Sequence, residues 1–330
     1  MKKVLKIIGR ILLVLLIIFI LLTIVCFFID KSARKKDAAL LEKDGFVNLV
    51  SAGDYKMNVN IYGDGKTKIV AMPGSGDSGF SVDMKKFSEH LDDDISLIVV
   101  SRPGYGITEE TKSKITTEYI VESTRTALKN AGVEAPYILM PHSLSGIYGT
   151  YWENTYPDEL SGVIFLDSIT SAEDEIPEHG VPRFMQKAGM FLFRFYHHSG
   201  LSRAVDAISG GDSDDEYAKD YEAFYNVQQM RSFSQEILNY NAIMRTAWSS
   251  IKANDIPKIY ITTEYETLDD IKEMYKFYDS ELDEEEANSI YESEVTNQSE
   301  WKKDHIKKRD EYIENVGNCE KINIPGSHFI

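Results

Sequence analysis

A short apolar run, Tyr137 to Met140, leads into Pro141-His142-Ser143-Leu144-Ser145-Gly146, and residues that suit a helix follow from Gly146 to Asn154. A strand turning this sharply into a helix exposes the serine hydroxyl at the turn and aims a helix N-terminus at any negative charge developing beside it. The flanking positions must be small, because a residue in so strained a turn leaves little room for neighbouring side chains. Ser145 and Gly146 satisfy that requirement, whereas Pro141 fits it less closely. A purely structural polar turn has the same local pattern, so the rest of the chain must decide between a turn and a nucleophile.

Strand-like and helix-like segments alternate around this turn. Phe46 to Val50, and then Met57, Val59 and Ile61, alternate with polar residues as two antiparallel strands with one buried face would. Lys68 to Met72 predicts a strand running into the glycine turn Pro73-Gly74-Ser75-Gly76. Phe80, Met84, Phe87 and Leu91 recur at helical spacing and predict a core-facing helix. Ile95 to Val100 is almost continuously apolar, as a parallel strand covered on both faces is, and it ends in Ser101-Arg102-Pro103-Gly104-Tyr105-Gly106. A helix over Tyr119 to Asn130 follows, stopped by Gly132; Gly162 to Leu166, Ile256 to Thr262 and Lys321 to Ile324 predict further strands. Such alternation implies right-handed crossovers, a doubly wound and mostly parallel α/β sheet, and a site at the C-terminal ends of its strands.

Between Ser171 and Asn254 no sheet-like run occurs. Phe184, Met185, Met190, Phe191, Phe193, Phe195 and Tyr196 crowd its first part, and helical segments continue through Ile237, Leu238, Ile243 and Trp248. Most of these apolar residues are expected to serve helix packing, and a site beneath them would favour hydrophobic substrates. His197 and His198 are adjacent, so on a helix they point apart, and we read them as surface or cap residues rather than metal ligands. An acidic, helix-prone insertion occupies roughly residues 264–315, and its Asp283-Glu284-Glu285-Glu286 run reads as a solvated face.

At the N-terminus, Ile11 to Ile29 is apolar except for Thr23, and Lys2, Lys3, Lys6 and Arg10 precede it. That length crosses a bilayer core at about 1.5 Å per residue. No small-residue cleavage site follows in Val25-Cys26-Phe27-Phe28, so residues 1–30 are expected to be an uncleaved transmembrane signal anchor. Residues 31–45 are expected to be a charged juxtamembrane linker. Basic residues flank the apolar run on both sides, and a single-pass protein of the cell membrane with an extracytoplasmic remainder is the expected arrangement. A net charge of −17 over 330 residues argues against a nucleic-acid partner, which would need clustered Lys and Arg. Two cysteines, Cys26 and Cys319, can build neither a disulfide framework nor a zinc site.

The serine turn resembles the nucleophile elbow of the α/β-hydrolase family, keeping His142, Ser143, Leu144 and Gly146 while Pro141 and Ser145 replace two flanking glycines. Ser101 to Gly106 is similar to the Asp-Arg-Pro-Gly-Tyr-Gly turn of that family, and Pro325-Gly326-Ser327-His328 resembles its final histidine loop. The likeness spans about residues 46–330. It implies a hydrolase domain over that range, with a helical cap at about 171–254. It further implies Ser143 as nucleophile, His328 as general base, and an oxyanion hole formed by the backbone N–H groups of Leu144 and Ser75, the latter in the turn where Pro73 replaces the usual histidine. For the acid, Asp167 ends the strand after the elbow helix and Glu266 follows the next strand. Asp167 is preferred because Thr262-Thr263-Glu264-Tyr265-Glu266 departs from the Gly-x-x-Asp pattern common there. Relatives usually continue past the histidine into a helix, whereas this sequence reaches Ile330. The implied activity is hydrolysis of an ester or similar acyl bond in a small molecule, with neither metal nor organic cofactor. An amide or peptide hydrolase and a catalytically silent binding or scaffold protein are the other readings, since a fold does not name its reaction.

Overall fold

The computed structural model describes residues 2–77, 79–170, 181–209, 230–277, 282–296, 298, 300–326 and 328. Eight strands form one sheet: β1 (Leu49–Ser51), β2 (Lys56–Tyr62), β3 (Thr67–Met72), β4 (Ile95–Val100), β5 (Tyr137–Pro141), β6 (Leu160–Leu166), β7 (Lys258–Thr262) and β8 (Cys319–Asn323). Their order is β1-β2-β4-β3-β5-β6-β7-β8. β1 pairs with β2 and β2 with β4 antiparallel, and every later pair is parallel. The sheet is therefore mixed but mostly parallel, as the strand and helix alternation predicts.

The two-residue period of a strand sends alternate side chains to opposite faces, and both faces here are buried. Val70 and Met72 join Ile98, Val100, Leu139, Val163 and Phe165 on one side, whereas Ile69 and Ala71 join Leu97, Val99, Met140 and Leu166 on the other. The first side is covered by α3 (Thr117–Asn130) and α4 (Ser145–Thr155), the second by α2 (Phe80–Ser88) through Phe80 and Met84. Phe87, expected in the core with them, is 40% exposed. Each large side chain buried in this way contributes about 1.5–3 kcal/mol.

β2 differs from the half-buried strand that its alternation predicts. Asn58 and Asn60 are buried, whereas Ile61, expected on the buried face, is exposed. The Asn58 side chain donates to the carbonyl of Phe46 and to Asn60 Oδ1, each at 2.8 Å, while its N–H donates to Thr108 Oγ1. Hydrogen-bonded amides can be covered without large cost, so this face of the strand can be closed over.

α1 runs unbroken from Lys2 to Lys43. It is long and apolar enough to cross a membrane, and none of its most apolar stretch is buried. Residues 31–43, expected to belong to a linker, instead continue the helix: Arg34 pairs with Asp30 one turn before it, and Leu41 packs with Phe46 and Val82 against the body of the domain. In the region expected to be a cap, α5 (Arg183–His198), α6 (Leu201–Ser209) and α7 (Arg231–Ser250) are helical, and residues 171–180 and 210–229 lie outside the described residues. The acidic insertion forms α8 (Leu268–Phe277), α9 (Glu284–Tyr291) and α10 (Glu300–Val316). Its acidic run has a structural duty, since Asp283 accepts from the Glu286 N–H at 2.8 Å and Glu286 accepts from the Asp283 N–H at 3.1 Å. The two form a capping box with negative charge on the first turn of α9.

Candidate active site

β5 ends at Pro141 and α4 begins at Ser145, so the turn between them is only three residues long. Ser143 sits in it with φ of 49°, a left-handed conformation that costs a non-glycine residue on the order of 1–3 kcal/mol. The surroundings enforce it. The His142 N–H donates to Met72 O of β3, and the Ser143 N–H donates to Leu166 O of β6. The Ser143 carbonyl in turn accepts from Ile169 N at 2.8 Å. Gly146 lets α4 pass this close to β6: a Cβ there would lie 2.6 Å from Ser168 Cβ and 2.8 Å from Ile169 O. Gly146→Ala is therefore expected to destabilise the domain by about 1–3 kcal/mol, read as a lower urea midpoint with an unchanged slope.

His328 stands over the turn. Its Nε2 is 2.9 Å from Ser143 Oγ, and its Nδ1 is 2.6 Å from Asp167 Oδ2. Asp167 directly follows β6, also at positive φ, and accepts from Thr263 Oγ1 at 2.8 Å. Burial alone would raise its pKa, but the hydrogen bonds from His328 and Thr263 outweigh that effect and hold it below the ordinary carboxylate value. An ionised carboxylate on Nδ1 fixes the imidazole tautomer that leaves Nε2 free to take a proton from the serine hydroxyl. Glu266 lies elsewhere, its carboxylate accepting from Asn323 Nδ2 at 2.6 Å.

The glycine turn beside Ser143 is held from behind by a buried polar network that the sequence reading did not foresee. Arg102 donates from Nη1 to Pro73 O and from Nη2 to Gly74 O, both at 2.6 Å, and also to Ser145 Oγ at 2.7 Å. Its Nε lies 2.9 Å from Glu236 Oε1 on α7. Tyr105 and Tyr148 each donate to the same carboxylate at 2.6 Å, and Tyr105 Oη accepts from the Gly76 N–H. All five side chains are buried. Ser145, standing where the resembling motif has glycine, donates to Pro73 O and so joins the elbow to the turn. Gly74 passes so near that a Cβ on it would lie 3.2 Å from Ser143 Cβ and 3.0 Å from His142 Nδ1. In a trans peptide the C=O and the next N–H point in opposite directions. With Gly74 O on Arg102, the Ser75 N–H faces away from the network. Leu144, the N-cap of α4, carries one of the N–H groups that a helix leaves without an intrahelical acceptor. Arg102 lies in a turn that stands out in the sequence. The only signal for Glu236 is a carboxylate three residues from Phe233 and next to Ile237 on a helix.

His142 is buried against the ring of Phe80. Its Nε2 is 2.8 Å from the His328 carbonyl, which can only accept, so Nε2 carries the proton and Nδ1 stays bare, without a hydrogen-bond partner. Burial lowers its pKa. The unfolded chain therefore binds a proton near the ordinary histidine value while the folded one resists it, and stability falls as pH drops below about 6.5. Unfolding free energies measured from pH 8 to pH 5 should show a shallower acid limb in His142→Gln.

Together, the order of the sheet, the strained serine between strand and helix, and the histidine reaching it from beyond β8 define an α/β-hydrolase fold. An esterase from Exiguobacterium antarcticum superposes with a TM-score of 0.53 at 12% identity, covering 86% of this chain and 92% of that one. DBJA (mutant dbja delta) does so with a TM-score of 0.50 at 13% identity, covering 85% and 90%. At such identities the likeness is one of fold. No family model matches the chain. In sequence, it is 35% identical over 167 residues to the uncharacterized protein YbdG of Bacillus subtilis (strain 168), covering 51% of each chain. It is 27% identical over 105 residues to the uncharacterized protein YqjL of the same organism, covering 32% of this chain and 41% of that one. The chain thus spans about half or less of the length of these relatives.

Proposed function

We propose that the chain is a serine hydrolase that cleaves an ester or similar acyl bond through an acyl-enzyme, anchored in a membrane by α1 with its hydrolase domain, residues 46–330, on the extracytoplasmic side. The observation that carries the reading is the unbroken hydrogen-bonded file from Ser143 Oγ through His328 to Asp167. Ser143 Oγ attacks the carbonyl carbon while its proton passes to His328 Nε2. The oxygen that gains negative charge accepts from the N–H groups of Leu144 and Ser75, a contribution of about 3–4 kcal/mol per donor in comparable sites. As the intermediate collapses, His328 returns the proton to the departing alkoxide, which leaves as an alcohol, and the acyl group remains on Ser143. Water then attacks the ester, its proton goes to His328, and the carboxylic acid is released as Ser143 recovers the proton. Arg102 and Glu236 act as positioning residues, since they touch the turn that carries the Ser75 N–H rather than the reacting atoms.

A fluorophosphonate probe tests the nucleophile directly. Labelling of the folded protein at Ser143, lost in Ser143→Ala, is expected. A folded protein that takes no label would leave the fold as a binding scaffold. A parallel panel of activated esters and anilides separates acyl-ester from amide chemistry.

A further inference from the structure

We propose that the outward apolar face of α5, with the adjoining part of α6, docks onto the same lipid bilayer that α1 enters, so that the site draws an acyl lipid from the membrane rather than a water-soluble ester. This inference rests on the serine-hydrolase and membrane-anchor readings and names their substrate class.

The contact between α1 and the turn joining α5 to α6 locates the bilayer surface. The apolar run of α1 ends at Ile29, and Asp30, Lys31 and Arg34 follow. At this level the α5–α6 turn closes on the helix. A Cβ on Gly200 would lie 2.5 Å from Cys26 O and 2.7 Å from Asp30 Cβ, an approach that only glycine permits, and at φ of 75° glycine is also the residue the backbone favours. The ring of His198 lies 5.6 Å from that of Phe27. Arg203 donates to Asp30 Oδ1 at 2.9 Å and to Asp37 Oδ2 at 3.1 Å, burying Asp30. Cys26 and Phe27 are within the apolar run, and Cys26 is about 6 Å deeper along the axis than Asp30. The α5–α6 turn therefore meets the helix at the boundary between hydrocarbon and water.

From that boundary α5 presents a face with no use in water. Phe184, Phe191 and Leu192 are 72%, 68% and 64% exposed, and Met185 and Phe195 are exposed beside them. Their spacing, i, i+1, i+7, i+8 and i+11, places all five on one side of the helix. Ile208, on α6, is 86% exposed. An exposed Lys187 lies on one flank of the α5 face, the pattern by which an interfacial helix sets its apolar side among acyl chains and its basic side among phosphates. At its other end, α5 is tied to α7, where Arg183 donates to Leu238 O and Asn239 Oδ1. α7 in turn carries Phe233, which packs on Tyr105 and faces Gly76 of the turn beside Ser143. α5 and α7 together thus link the membrane boundary to the turn beside Ser143.

The test uses the full chain, with Cys26→Ala and Cys319→Ser, reconstituted in phosphatidylcholine–phosphatidylglycerol vesicles. An environment-sensitive fluorophore is attached at Phe191→Cys, at Phe184→Cys, or at a control position on α10, Lys307→Cys. We expect the first two to be quenched by brominated acyl chains and shielded from iodide, with the third behaving in the opposite way. Iodide quenching at 184 and 191 equal to that at 307 overturns the proposal. So does shielding from iodide without lipid quenching, which would mean that a second copy or another protein covers the face. The docked face is then disabled with Phe191→Asp/Leu192→Asp. Hydrolysis of a vesicle-embedded long-chain acyl lipid should fall by roughly tenfold or more while that of a soluble short-chain ester is unchanged. Equal loss on both substrates, or on neither, overturns the proposal. Failure of the hydrolase reading shows instead as activity that survives Ser143→Ala, and failure of the anchor as release of the protein from vesicles by carbonate. Neither depends on the fluorophore result.

Discussion

Ser143→Ala is expected to lower turnover of an activated short-chain ester by about 10^6-fold with the fold intact, because no other group can take over the covalent step once the hydroxyl next to His328 is gone. The acid distinguishes itself in the same assay. Asp167→Asn should cost about 10^4-fold, since an amide at this position leaves the imidazole free to adopt the tautomer with Nε2 protonated, which cannot accept the serine proton. Glu266→Gln should leave turnover near that of the parent, because its carboxylate is engaged with Asn323 rather than with His328. Initial rates at saturating substrate, with labelling by the fluorophosphonate probe alongside, check all three. If Asp167→Asn retained full turnover while Glu266→Gln lost it, the assignment of the acid would be reversed.

The second large effect belongs to the pair behind the glycine turn. Glu236→Leu leaves the Arg102 guanidinium buried without its carboxylate and should destabilise the domain by about 3–5 kcal/mol, seen as a lower denaturant midpoint. Arg102→Met in the same chain removes that stranded charge and should restore part of the loss. The restoration is incomplete because Tyr105 and Tyr148 keep buried hydroxyls that had donated to Glu236. Turnover should not recover with stability. Without Arg102, Pro73 O keeps only the Ser145 hydroxyl and Gly74 O loses the guanidinium that held it from behind, so the Ser75 N–H should lose its orientation and kcat should fall by roughly 10^2-fold with KM little changed. A purely structural role would instead restore kcat along with the denaturant midpoint.

Much of this protein follows from local chemistry, and the sequence carried that part. Continuous apolar runs such as Ile95 to Val100 specify strands with both faces covered, although the run does not fix direction: β4 pairs parallel with β3 and antiparallel with β2. The Ser143 turn is legible because only small residues tolerate so strained a joint, and α1 is legible as a helix long and apolar enough to cross a membrane because that depends on length and composition alone. Other features depend on what meets a residue in space. The burial of Asn58 required Phe46 and Thr108, outside its strand, to supply partners, and Asn60 is paired through Asn58. The helical course of residues 31–43 depended on Leu41 reaching Phe46 and Val82. Whether Asp167 or Glu266 lies next to His328 is a matter of where two strand ends stop in the sheet, which residue type alone does not reveal. The same holds for Glu236. A single carboxylate on an otherwise unremarkable helix acquires its place only when folding brings Arg102, 134 positions earlier by the chain numbering, to within 2.9 Å, because the pairing energy of two buried charges exists only once water has been removed from both.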